Sequence, residues 1–349
     1  MAFDENEVNI PPVGLLNFSR IDQKIRYYKI KNLNLNNTCY INASIQCLFR
    51  LDEFVKNILR CDGGSLTTAT KNLIINMKKN NNKIKNNCSV FEIKMAMGKE
   101  NELYNDEEQG DANEFISNYL NYLIDETKDT EEINWNCLSR DEQYFNKFKE
   151  KFIERKGNSF ILNLFYGVLR KENFCKECQF KAPLKFNSFN ILEIPIYEDE
   201  EEDIYNNSDK SLDLDDLLNK FISEKKNVND KCPRCQNFLN TKTSINTLPK
   251  CLIIYFSRDY SDGKENKINI PKTINFDKFL YDTSLNNDKE YYYHLKGIIF
   301  YSYYSKSLSH YKAICYVNNE KWYYFNDNYC KKEKALAIYD NPVFLFYEK

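Results

Sequence analysis

The chain has 349 residues, 42% hydrophobic and 29% charged, with a formal net charge of -2. That length buries a sizeable core, as one large multi-lobed domain or two ordinary ones. The near-neutral balance supplies no global basic field, and no stretch approaches the ~18 consecutive apolar residues of a membrane helix, so neither nucleic acid nor membrane is an expected partner.

Residues 1 to about 26 contain Pro11-Pro12 and no strong period, and read as a partly ordered lead-in. Met1 to Asn9 are acidic and polar, without the basic region and apolar run of a secretion signal. Together with twelve cysteines, this predicts reduced thiols and an intracellular protein, cytoplasmic and/or nuclear. From Cys39 the spacing of Tyr40, Ile41, Ala43, Ile45, Cys47, Leu48 and Phe49 predicts a mostly buried helix. Phe91 to Met97 and Ala112 to Ile124 have further helical periods, the second placing Phe115, Ile116, Tyr119, Leu120, Leu123 and Ile124 on one face. Residues 30 to about 165 are therefore expected to be largely helical.

The texture changes after Gly167. Segments rich in Tyr, Ile and Phe predict strands at Phe189–Ile196, Leu248–Phe256, Tyr291–Phe300, Tyr311–Val317, Trp322–Phe325 and Val343–Tyr347. The acidic run Glu198–Asp203 reads as a solvated loop or insertion. The expected fold class is α+β: a helical lobe, then a β-rich lobe, with a metal-tied appendage between them.

Three groups of residues carry chemistry. Thr38 and the asparagines before it are good caps, so Cys39 is expected in the first turn of its helix. The helix dipole and free N–H groups there favour a thiolate, and assisted thiols of this kind fall to pKa values of about 3.5–7.5. Alone, such a cysteine is more often a small core residue, as Cys47 reads. Only two histidines exist. His294 lies in mid-strand and reads as structural, whereas His310 opens an apolar strand followed by Trp322-Tyr323-Tyr324-Phe325-Asn326-Asp327. Two adjacent antiparallel strands would bring Asn326 to His310, where an amide oxygen fixes the imidazole tautomer. The order Cys, His, Asn is that of papain-like thiol proteases. Finally, Cys175-Lys176-Glu177-Cys178 and Cys232-Pro233-Arg234-Cys235 are two C-x-x-C knuckles. Two such turns complete a tetrahedral zinc site of four cysteines, and four thiolates leave no open position for water, so one structural zinc is expected.

These residues resemble the ubiquitin-specific protease family. Its G-L-x-N-L-G-N-T-C-Y-M-N box is matched by Asn34-Leu35-Asn36-Asn37-Thr38-Cys39-Tyr40-Ile41-Asn42, and its Q-Q-D-A-x-E-F box by Gln109-Gly110-Asp111-Ala112-Asn113-Glu114-Phe115. Its G-H-Y and W-Y-x-F-D/N-D boxes appear as Ser309-His310-Tyr311 and Trp322 to Asp327. Leu248-Pro249-Lys250 ahead of Cys251-Leu252-Ile253-Ile254, and Phe344 to Glu348, resemble the family's L-P-K-x-L-I-I and closing strands.

The resemblance implies a papain-like thumb–palm–fingers catalytic domain over residues 27–349, the thumb at about 30–165, fingers at about 168–247 and palm at about 248–349. It implies Cys39 as nucleophile, His310 as base and Asn326 as third member. Asn34 matches the side chain lining the oxyanion hole, and Asp327 a neighbour that supports the oxyanion or the base. Gln109, Asp111 and Tyr311 match substrate contacts, Asp111 facing the basic tail of ubiquitin. The implied activity is hydrolysis of the bond after ubiquitin's C-terminal glycine, without a catalytic cofactor, by a monomer whose partners are ubiquitin and ubiquitinated proteins. A ubiquitin-binding scaffold, or a protease for another ubiquitin-like modifier, is the alternative. Three departures stand out: Asn36 and Ser309 where the family has glycine, and Gly110 where it has a second glutamine.

Overall fold

The structure is a computed structural model and describes residues 9–16, 37–79, 88–105, 109–135, 142–196, 211–257, 267–281, 291–305, 308–317, 321–333 and 341–349. Among them the helical part comes first: strand β1 (Leu15–Leu16), helices α1 (Cys39–Leu48), α2 (Asp52–Arg60) and α3 (Ser65–Lys79), strand β2 (Cys88–Ser89), then α4 (Phe91–Glu100), α5 (Ala112–Glu126), α6 (Glu142–Lys156) and α7 (Phe160–Phe165). In α5 the six apolar residues at three- and four-residue spacing are all buried. Its N-cap, Asp111, accepts from the backbone N–H groups of Asn113 and Glu114 at 2.7 and 2.9 Å, satisfying donors that the helix itself leaves open.

Helix α1 is different: all ten of its residues are buried, polar ones included. A buried polar group without a partner is costly, so Asn42, Ser44 and Gln46 must find acceptors or donors. Ser44 returns to the carbonyl of Tyr40 at 2.7 Å. The other two reach outside the helix, to the segment described below.

The chain then becomes mostly strand: β3 (Gly167–Phe174), β4 (Lys185–Phe189), β5 (Leu192–Pro195), β6 (Leu212–Asp213), helix α8 (Leu214–Ile222), β7 (Lys225–Lys231), β8 (Phe238–Thr247), β9 (Cys251–Ser257), β10 (Ile268–Asn269), β11 (Thr273–Asn275), β12 (Tyr292–Ser305), β13 (Leu308–Val317), β14 (Lys321–Asn326), β15 (Tyr329–Glu333) and β16 (Pro342–Glu348). A large sheet runs β15-β14-β13-β12-β16-β9-β5, with β11 also on β12, and a four-stranded sheet runs β4-β3-β8-β7.

The large sheet is buried on both faces, which is why β9 and β16 read as continuous apolar runs rather than alternating ones. Alternation survives in where each residue goes. Cys251, Ile253, Ala313, Cys315, Phe344 and Phe346 join the core shared with the helices. Leu252, Ile254, Ile314, Leu345 and Tyr347 join a second core on the opposite face, closed by Leu214, Leu217 and Leu218 of α8. Helix α1 packs against β12 and β13 on the first face.

Two expectations need correction. The single strand expected over Phe189–Ile196 is two strands in different sheets: β4 pairs with β3, and β5 pairs in parallel with β9. The bend at Asn190-Ile191 carries the chain from one sheet to the other. Helix α8 was not anticipated, although Leu214, Leu217, Leu218, Phe221 and Ile222 fall at i, i+3, i+4, i+7 and i+8, the period of an amphipathic helix compressed into nine residues. The acidic run Glu198–Asp203 lies outside the described residues.

Candidate active site and metal centre

Cys39 is the first residue of α1, as its sequence position predicts, but Thr38 makes no side-chain cap. Asn37, two residues before the thiol, adopts left-handed backbone with φ of 61°, a conformation that asparagine tolerates, and Asn36 lies outside the described residues. The thiol is 3% exposed. Burial pushes its pKa up to about 11, helped by the Asp327 carboxylate, and the opposing hydrogen bonds from the Tyr311 and Tyr40 backbones and from Gln109 only partly offset this. The depressed pKa expected from the helix terminus is therefore not found: desolvation outweighs the dipole and leaves a neutral thiol.

The polar surroundings of the sulfur bracket His310. Gln109 Nε2 lies 3.7 Å from Cys39 Sγ and donates to the carbonyl of Ser309 at 2.7 Å. On the other side, the Tyr311 backbone also bonds the sulfur. Ser309 Oγ donates back to Gln109 Oε1 at 2.7 Å, so the segment before α5 and strand β13 are tied reciprocally beside the thiol.

His310 on β13 and Asn326 at the end of β14 share a sheet face. The strands are antiparallel with Ala313 opposite Phe325, which makes the two residues diagonal neighbours. His310 Nε2 lies 2.6 Å from Asn326 Oδ1. An amide oxygen only accepts, so Nε2 carries the proton and Nδ1 keeps the lone pair. The structure thus assigns the basic atom: a proton can be taken at Nδ1 while Nε2 is held by Asn326.

Asp327 follows immediately, at φ of 52°. Its Oδ2 stands 3.9 Å from His310 Nε2, and its Oδ1 accepts from Asn42 Nδ2 at 2.9 Å. Asn42, one turn after Cys39, was not singled out from sequence; a polar residue at a buried position of an apolar helix is the signal that could have found it.

Asp111 and Tyr311 are brought together, Tyr311 Oη donating to Asp111 Oδ2 at 3.3 Å. The Asp111 carboxylate remains exposed, available to a cationic ligand. Gly110 has a local reason: a Cβ there would stand 2.5 Å from the Tyr40 ring, so a larger residue requires that buried tyrosine to move. Asn34 lies outside the described residues. His294 sits on β12 with Nδ1 3.1 Å from Thr273 Oγ1, away from this group, as expected.

The two C-x-x-C knuckles follow β3 and β7. Each is closed by a backbone bond, Cys175 N–H to Phe180 O at 2.8 Å and Cys232 N–H to Asn237 O at 2.7 Å. Each turns on a left-handed glutamine, Gln179 at φ of 57° and Gln236 at 64°. All four sulfurs lie within 4.8 Å of one another, with Cys175–Cys235 and Cys178–Cys232 at 3.4 Å. A tetrahedral zinc–tetrathiolate centre with bonds of about 2.3 Å needs sulfurs about 3.8 Å apart. The donor set and its spacing fit that ion, and the group could hold it.

Comparison with known proteins places these features. The family model described as ubiquitin carboxyl-terminal hydrolase matches residues 30–347. Ubiquitin carboxyl-terminal hydrolase Usp2 of Drosophila melanogaster is 27% identical over 344 residues, covering 90% of this chain and 34% of that protein. Ubiquitin carboxyl-terminal hydrolase 4 of Saccharomyces cerevisiae is 27% identical over 369 residues, covering 90% of this chain and 39% of that protein. The chain thus spans little more than a third of the length of these relatives. The SAGA DUB module of Ubp8, Sgf11, Sus1 and Sgf73, solved with monoubiquitin, shares the fold at a TM-score of 0.66 and 16% identity, over 99% of this chain and 70% of that one. With its family model matched from residue 30 to 347, this chain belongs to the ubiquitin carboxyl-terminal hydrolase family.

Proposed function

We propose that this protein is a thiol protease that hydrolyses the isopeptide or peptide bond after the C-terminal glycine of ubiquitin. The observation that carries the reading is the buried Cys39 sulfur, bonded by Gln109 and by the Tyr311 backbone on either side of a His310 whose Nε2 is held 2.6 Å from Asn326 Oδ1. Nδ1 of His310 takes the Cys39 proton as the sulfur attacks the glycine carbonyl. The imidazolium then gives that proton to the leaving lysine amine. Water, deprotonated by the same nitrogen, hydrolyses the thioester and restores the thiol. Asn326 keeps the ring in one tautomer, and the Asp327 carboxylate at 3.9 Å favours the transient positive charge. Asn34 is assigned the oxyanion donor by its place in the cysteine box.

Asp111 is placed to meet the basic tail of ubiquitin, with Tyr311 orienting its second oxygen. Residues 27–349 are assigned to the catalytic domain, thumb, fingers and palm in chain order, inside the cell. One zinc held by Cys175, Cys178, Cys232 and Cys235 would tie the β3 and β7 turns together and take no part in the reaction.

The test is labelling with ubiquitin bearing a thiol-reactive group at its C-terminus. A covalent adduct on wild type and none on Cys39→Ala is the expected result. Absence of an adduct on folded, zinc-loaded wild type would overturn the reading.

A further inference from the structure

Outside the reacting groups, polar side chains in and just after α1 bond to residues 10–16, upstream of the segment matched by the family model. Asn42, Gln46 and Arg50 form a stripe at i, i+4 and i+8, all buried. Each donates to a main-chain carbonyl of this strap: Asn42 to Leu15 and Leu16 at 3.5 and 3.4 Å, Gln46 to Val13 at 2.7 Å, and Arg50 to Ile10. Cys330 Sγ donates to Pro12 at 3.6 Å, and Leu15–Leu16 pairs with Cys88–Ser89. The strap therefore runs along the nucleophile helix, its carbonyls accepting the polar bonds while its Ile10 and Leu15 side chains are buried in the core shared with the helices.

Its other side meets the turn that follows β14. Leu15 N–H donates to the carbonyl of Asp327 at 2.9 Å. Gly14 lies so close that a Cβ there would stand 2.4 Å from the Asn328 carbonyl oxygen, a backbone atom with no rotamer to escape into. Asn42 closes the arrangement, its one amide nitrogen shared between the strap carbonyls and Asp327 Oδ1. Asp327 is in the left-handed region, which is unfavourable for a non-glycine residue and has to be held from outside.

We infer that the Ile10–Leu16 strap is a positioning element of the active site: Gly14 and Leu15, together with Asn42, hold the Asn326–Asp327 turn where its side chains can orient His310. These residues act through the turn, and a chain cut at the start of the family match would lack the strap. The inference rests on the catalytic roles proposed above.

The test uses the full-length chain with Gly14→Ala, measured on a fluorogenic ubiquitin substrate. The added methyl must push the strap or the turn away. A displacement of the order of 1 Å at a catalytic group lowers turnover by on the order of 10²-fold. The expected result is a kcat reduced by about that factor, with KM and the Kd of ubiquitin on the zinc-loaded protein within about twofold of wild type. Equal kcat, or an effect confined to KM, overturns the inference. Gln46→Met, which removes the donor to Val13 and keeps the side-chain length, gives a milder kcat loss in the same pattern. It decides the matter alone if Gly14→Ala does not fold, and an unchanged kcat in it then overturns the inference. Inactive wild type would instead refute the protease reading, so the two failures are distinct.

Discussion

In the protein without substrate, alkylation of Cys39 by a small neutral haloacetamide reads the protonation state of its thiol directly. Burial raises its pKa from 9.0 to about 11. At pH 7 the thiolate fraction is then on the order of 10⁻⁴, against about 10⁻² for an ordinary thiol, so the buried position alone slows alkylation about 100-fold. The sign is fixed by the cause: burial and the Asp327 carboxylate both disfavour the anion, so reactivity must rise with pH. The expected profile, following the Cys39 peptide by mass spectrometry, is a tenfold gain per pH unit from 7 to 10 without a plateau. A plateau with a midpoint below pH 8 would refute the reasoning, because it would require a preformed thiolate that the desolvated site does not support. The rising profile instead means that His310 removes the proton during attack, as a general base, rather than storing a thiolate–imidazolium pair beforehand.

Ser309→Ala removes one of the two 2.7 Å bonds that tie Gln109 to residue 309 and leaves the one to its carbonyl; if ubiquitin binding requires Gln109 to leave this pairing, the lost neutral hydrogen bond of about 1 kcal/mol lowers KM up to about fivefold with kcat unchanged, whereas a raised KM would show that the pair is preorganised for substrate. Asn326→Ala should lower kcat by on the order of 10²-fold, and Asn326→Asp, which keeps an acceptor for Nε2, should lose much less; steady-state kinetics showing equal losses would refute the orienting role. Stripping metal from the four-cysteine group with a chelator should speed amide hydrogen exchange in β3, β7 and β8 while leaving β9 and β16 protected, and unchanged exchange throughout would exclude a structural ion there. Cys39, Cys47 and Cys251 all have thiol pKa values pushed up by burial. Their contribution to stability is thus whole below pH 9 and, for Cys39, is lost as pH rises towards 11. The melting temperature should fall between pH 8.5 and 10.5, and a flat profile would show that these thiols do not ionise on unfolding.

What sequence could reveal here depends on whether side chains or backbone do the recognising. The cluster of four cysteines and the pairing of His310 with Asn326 were legible because their chemistry resides in the side chain and their spacing in the turn or strand pair. The helix opening at Cys39 was legible through its apolar spacing, but the state of its thiol was not, since 3% exposure is a tertiary fact that overrides the local dipole. Residues 10–16 are the limiting case. Their carbonyls, which any sequence would present, are the acceptors for Asn42, Gln46 and Arg50; two prolines suggest an unanchored segment, and only the apolar Ile10, Val13 and Leu15, which pack into the core, mark it as bound. The donors do leave a trace: Asn42 and Gln46, four apart in a helix whose remaining spacing is that of a core element, with Arg50 four further on, just past its end. Buried donors need acceptors, and when no polar side chain is offered nearby, the acceptor has to be backbone from elsewhere in the chain. That accounting would have predicted a strap on α1 before its location was known. Only Gly14, in contact with the Asn328 backbone, then specifies that the strap also braces the catalytic turn.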